Sequence, residues 1–99
     1  HLLAFARMDG AFAMSFDTAY MKAKTAASYG VPTGGIEAGI DIKLAIATQG
    51  QRINLPGGLP IIVDGRVIGA VGVGSGTGAQ DREVAAAGIK TIEGAKAFD

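Results

Sequence analysis

The stretch 57-GGLPIIVDGRVIGAVGVGSGTGAQD-81 decides the fold. Two apolar runs, Pro60 to Val63 and Arg66 to Val73, flank Asp64-Gly65. That dipeptide tolerates the positive φ that a type I′ turn demands of both central residues, so the spacing predicts a β-hairpin. The second strand carries apolar residues or glycine on both faces, which predicts a central strand covered on both sides. Thr77-Gly78-Ala79-Gln80 then has the spacing of a capping box, and Asp81 and Glu83 fall where a helix macrodipole favours negative charge. A helix over roughly 78–95 follows, with Val84, Gly88 and Ile92 along one stripe.

The glycine run between strand and helix raises the question of a bound phosphate. Backbone N–H groups at a helix start can hold an anion. A Walker loop, however, ends in Gly-Lys-Ser/Thr, and residues 72–81 contain no Lys or Arg. The run is also an imperfect match to the dinucleotide fingerprint and has no ribose-binding acid downstream in a βαβ unit. The reading favoured is close packing, in which glycines admit positive φ or bring a second backbone near.

Upstream, Leu55-Pro56-Gly57-Gly58-Leu59 is a turn-rich entry to the hairpin. Ser15 is placed to cap a helix with Asp17 in its first turn. Phe16, Tyr20, Ala23 and Ala27 repeat at helical spacing, and Gly30 with Pro32 beyond ends the helix. Ile36, Ile40 and Leu44 predict a second helix in spite of Gly39, which costs about 1 kcal/mol relative to alanine. Leu2 to Ala6 and Met8 read as a strand closed by Asp9-Gly10. The order strand, helix, helix, hairpin, helix is an α+β plan with an antiparallel sheet.

The bulk numbers narrow the function. Ninety-nine residues make a single domain over 1–99. Only 18% of residues are charged against 48% hydrophobic, which is short of the charge that solvates a small monomer, so a homo-oligomer is expected. Nine basic and nine acidic residues cancel without a basic cluster, which argues against a nucleic-acid partner. The absence of cysteine excludes disulfides, thiolate metal sites and cysteine nucleophiles. No apolar run approaches the roughly 20 residues of a membrane span. A soluble, cytoplasmic protein is the expectation, with secretion left open because a leader would precede His1. The start inside an apolar run, without an initiator Met, leads us to expect upstream sequence.

"HLLAFARMDGA", "KAKTAAS" and "PGGLPIIVDGRVIGAVGVGSGTGAQDREVAAAG" together resemble the GlcG/HbpS family, which includes the C-terminal domain of PduO-type proteins and is also labelled haem-degrading. The resemblance spans nearly the whole chain. It implies an antiparallel sheet of about five strands with helices packed on it, assembled as a homo-oligomer, and a first helix and strand preceding His1. It also implies haem binding, iron-linked redox sensing, or a role in glycolate, propanediol or ethanolamine utilisation.

Haem takes an axial ligand such as His, Met or Tyr in an apolar cleft, for which His1, Tyr20 and Met21 are the candidates, with Met8, Met14 and Tyr29 behind them. A small-molecule groove is expected where three glycine-bearing turns leave room for a ligand: Arg7 and Asp9 in "RMDGA", Gly57 and Gly58 in "GGLP", and Gly74, Gly76, Thr77 and Asp81 in the glycine loop. Arg7 would orient a carboxylate by its bidentate fork, against the plainer alternative of an ion pair with Asp9. Asp81 and Glu83 point to different sides of a helix and read as dipole-compensating caps rather than an acid/base pair. Ser75 and Thr77 have no nearby His to activate them, and no metal-ligand spacing is present. The reading is an oligomeric small-molecule-binding protein with haem among its ligands. The alternatives are an enzyme of small hydroxy-acid or diol metabolism, or a structural assembly module.

Overall fold

The computed structural model describes residues 1–98. In chain order its elements are α1 (Ser15–Tyr29), α2 (Ala38–Ala47), β1 (Gly58–Val63), β2 (Arg66–Gly72) and α3 (Gly78–Ile89), an α+β arrangement with one two-stranded antiparallel sheet.

The hairpin forms as its turn residues dictate. Asp64 and Gly65 take φ of 52° and 75°, the pair of positive angles that a type I′ turn requires. Gly58 lies opposite Gly72 and Leu59 opposite Val71, and a bulge at Ile61/Ile62 leaves Ile68 as the extra residue on β2. The predicted central strand is corrected here. Arg66, Val67 and Ile68 are exposed, because β2 has a single partner and its outer edge meets no further described strand.

The facing glycines let α1 lie directly on the sheet. A Cβ added at Gly72 would stand 2.7 Å from the Ala23 backbone N and would strike the Ala19 carbonyl, and one at Gly58 would strike the Lys22 carbonyl. Successive strand residues point to opposite faces, so Leu59 faces away from α1, and it forms the core with Ala85, Ala86 and Ile89 of α3 and with Phe98.

Two helix readings change. The buried stripe of α1 is Lys22, Thr25 and Ala26, whereas Phe16 and Ala27 are exposed. The helix is rotated so that its smallest side chains and its backbone meet the glycine pair. Ser15 is the first helical residue rather than the cap, which is Met14 without a side-chain bond. The Ser15 hydroxyl instead meets that of Ser75. Gly30 closes α1 as expected, at φ 69° with its N–H donating 2.9 Å to Ala26 O.

The predicted capping box of α3 is present, with Gln80 N–H donating to Thr77 Oγ1 at 3.2 Å and Thr77 N–H to Gln80 Oε1 at 2.9 Å. The helix ends at Ile89, short of the expected 95. The chain turns through Gly94 (φ 79°) and returns to β1, where Lys96 N–H donates to Ile62 O at 2.8 Å and Phe98 closes the core. The inward stripe is Asp81, Ala85, Ala86 and Ile89, while Val84 is 58% exposed. α2 buries no residue, and Ile36 precedes it.

The strand expected over 2–8 does not form. A strand needs a neighbour's backbone, and the sheet of this chain ends at β2. The segment ends in a turn, with Ala11 N–H donating to Met8 O at 3.2 Å.

Candidate functional site

The glycine loop closes around a buried ion pair. Lys22 Nζ lies 3.1 Å from Asp81 Oδ2 and donates to Val73 O at 3.0 Å, with both charged side chains 5% exposed. The other carboxylate oxygen of Asp81 accepts the Gly76 N–H at 3.0 Å. The loop therefore does hold an anion, and that anion is the chain's own Asp81. Glu83 is exposed two residues on, so the two acids do not work as a pair.

The predicted site residues divide into two groups. Gly57, Gly58, Gly74, Gly76, Thr77 and Asp81 come together around Lys22 and the start of α1. A Cβ at Gly57 would lie 2.8 Å from that of Asp81 and 2.6 Å from Val73 O, and one at Gly74 would lie 3.2 Å from Thr18 Oγ1. The space above these glycines is filled by the chain itself, so what they provide here is close approach. Arg7 and Asp9 stand apart on the exposed turn after residue 6, where Arg7 donates to Ala11 O at 2.8 Å and makes no ion pair with Asp9. Lys22, which anchors the cluster, is absent from the sequence-based site. Its signal was its place on the small-residue face between Ala19, Ala23 and Ala26.

The cavities lie elsewhere. One of about 420 Å³ is lined by Lys24, Thr25, Ser28, Tyr29, residues 47–49, Gln51 and Arg52, and one of about 260 Å³ by Thr25, Tyr29, residues 31–36, Arg52 and Ile53. Of the site residues singled out from the sequence only Tyr29, a secondary haem-ligand candidate, lines them. The loop between α2 and β1 is pinned by hydroxyl groups. Thr48 Oγ1 accepts Arg52 N–H at 3.0 Å, Thr25 Oγ1 accepts Ile53 N–H at 3.1 Å, and Thr33 Oγ1 accepts Gly58 N–H at 2.9 Å. This sets the Arg52 guanidinium 3.5 Å from the centroid of the Tyr29 ring.

The leading haem-ligand candidates, His1, Tyr20 and Met21, line neither cavity. His1 is exposed, whereas Tyr20 and Met21 are half-buried on α1. Phe16 stacks on Tyr20 with ring centroids 6.3 Å apart and meets Phe5 edge-on at 4.7 Å. On the segment that precedes α1, Leu2, Leu3, Phe5, Met8, Phe12 and Met14 are all at least half exposed. Among the described residues no group of three or more histidines and carboxylates is placed to hold a metal ion. No helix among them is long and apolar enough to cross a membrane.

A protein of the dhaT–dhaS intergenic region of Citrobacter freundii is 42% identical over 88 residues, covering 84% of this chain and 62% of its own length. The Escherichia coli K12 protein GlcG is 43% identical over 74 residues, covering 74% of this chain and 55% of its own. The chain thus spans between about half and two thirds of the length of these relatives. The crystal structure of the PduOC:haem complex superposes with a TM-score of 0.83 at 26% identity, over 95% of this chain and 71% of that one. The model of the family described as haem degrading protein HbpS-like matches residues 1–90, and the chain belongs to that family.

Proposed function

We propose that this chain is a haem-binding domain that self-associates, taking the tetrapyrrole on the apolar face formed by residues 1–16 and the first turns of α1. The observation that carries the reading is that face. Leu3 is 95% exposed, Met8 81%, Phe12 73% and Met14 70%, on a segment that starts at His1 and reaches the half-buried Tyr20 through the rings of Phe5 and Phe16. Burial of a large planar ring stabilises a complex in proportion to the apolar area removed from water, and a ring over this face would remove most of it.

The residues present fit the group. His1 supplies an imidazole nitrogen, Tyr20 a phenol oxygen and Met21 a thioether, all donors that haem iron accepts. Arg7 stands on the same segment with one Nη atom bonded to Ala11 O, and the remaining N–H groups are available to a propionate. Haem, once bound, would supply iron redox chemistry. The chain itself supplies the apolar floor, the axial donor and the cation. The family and the haem complex of PduOC support the same ligand class.

The test is a haemin titration followed at the Soret band, with the mass of the species measured alongside. A saturable, stoichiometric shift that is weakened by His1→Ala or Phe12→Asp is the expected result. A linear, non-saturating response discards haem.

A further inference from the structure

We propose that the paired cavities around Arg52 form a binding site for a small organic carboxylate, separate from the haem face and independent of it. The two cavities share Thr25, Tyr29 and Arg52, so the guanidinium stands at the wall between them. No Asp or Glu lines either cavity, while Lys24 and Arg52 both line the larger. The charged side chains lining the larger cavity are thus both cations, while the hydroxyl groups of Thr25, Ser28 and Thr48 already donate to the backbone carbonyls of Gln51, Lys24 and Leu44.

The hydrogen bonding of Arg52 points the same way. Its Nε is buried without an acceptor, and no described side-chain or backbone oxygen takes any of its guanidinium N–H groups. Buried donors such as this Nε are nearly always satisfied, and the strong partner of an arginine fork is a carboxylate. Here the ring of Tyr29 holds the guanidinium by its face, which leaves the in-plane donors unspent. A ligand carboxylate provides the two coplanar oxygens that this fork lacks. Lys24 is tethered by Gln51 Oε1 at the cavity wall and supplies a second positive charge. The volume of about 420 Å³ suits a ligand of a few carbon atoms bearing one or two carboxylates rather than a tetrapyrrole.

The experiment reads tyrosine emission. The chain has two tyrosines and no tryptophan, so in a Tyr20→Phe background the signal comes from Tyr29, beneath the guanidinium. Acetate, succinate and inorganic phosphate are titrated separately into the purified protein. Saturable change with succinate or acetate is expected, weakened about tenfold or more by Arg52→Gln and also by Arg52→Lys, which keeps the charge but loses the fork. Unchanged folding of each variant is checked by far-UV circular dichroism. Phosphate binding tighter than either carboxylate would overturn the carboxylate assignment. So would carboxylate binding that survives Arg52→Gln, or no saturable response to any of the three anions. Because haemin is read at the Soret band on the other face, failure here and failure of the haem reading are separate results.

Discussion

At the scale of the residue, the Lys22–Asp81 pair is the most consequential contact in the chain. It joins α1 to the start of α3 across 59 positions of sequence and ties both to the glycine loop. Burying two charges is costly, and their attraction returns that cost only while both are present. Asp81→Asn should therefore lower stability by about 3–5 kcal/mol, since it strands a buried ammonium. The combined Lys22→Met and Asp81→Leu change should lose less than the single substitution, because no charge is then left unpaired. Urea denaturation of the three proteins measures both. A loss below about 1 kcal/mol for Asp81→Asn would mean that the pair behaves as a solvent-exposed one. The pairing itself was not readable from the sequence, although the small residues Ala19, Ala23 and Ala26 mark the face that carries Lys22. A lysine inside "KAK" reads as a solvated face and an aspartate at a helix start as a cap, and only the fold brings them to 3.1 Å.

At the scale of the element, local chemistry made the hairpin, the capping box and the Gly30 stop legible, because each is settled by residues within about four positions of one another. The rotation of α1 was not legible, because it is set by glycines more than thirty residues away. Phe16 and Tyr20 suggest one inward stripe by spacing, yet Gly58 and Gly72 draw the backbone around Lys22 onto the sheet. This dependence is testable by adding a single methyl group. Gly72→Ala would press a Cβ into the Ala19 carbonyl and the Ala23 amide of α1, both backbone atoms that cannot turn aside. A loss of about 3 kcal/mol or more is expected, at or above the usual cost of overpacking. Gly39→Ala is the control. It lies in α2 at negative φ with nothing within 4 Å of an added Cβ, and should gain up to about 1 kcal/mol from helix propensity. Thermal unfolding of the two variants, followed by circular dichroism, should move in opposite directions. Equal and small shifts would mean that α1 does not rest on the glycine pair.

At the scale of the whole molecule, the apolar surface is unevenly distributed. The core is small, with Leu59, Ile89 and Pro60 the largest side chains removed from water, whereas six large apolar side chains between Leu2 and Met14 remain at least half exposed. Composition foresaw the imbalance, since 18% charged residues cannot cover such a surface, but it could not say where the excess would gather. The failure of 2–8 to form a strand supplies the location, because an apolar segment left without a sheet neighbour keeps its side chains in water. So many large apolar side chains exposed on one segment mark a surface that a ligand or a partner covers. The protein is therefore expected to sediment above its monomer mass of 9.9 kDa. Leu3→Asp combined with Phe12→Asp should return it towards the monomer without altering far-UV circular dichroism, since both side chains already stand in solvent. The same double change should weaken haemin binding, because ligand and neighbouring copy draw on one face. A monomer that keeps its haemin affinity after the change would separate the two uses of that face, and an assembly that persists would place the contact between copies elsewhere, with the exposed edge of β2 at Val67 and Ile68 the next surface to alter.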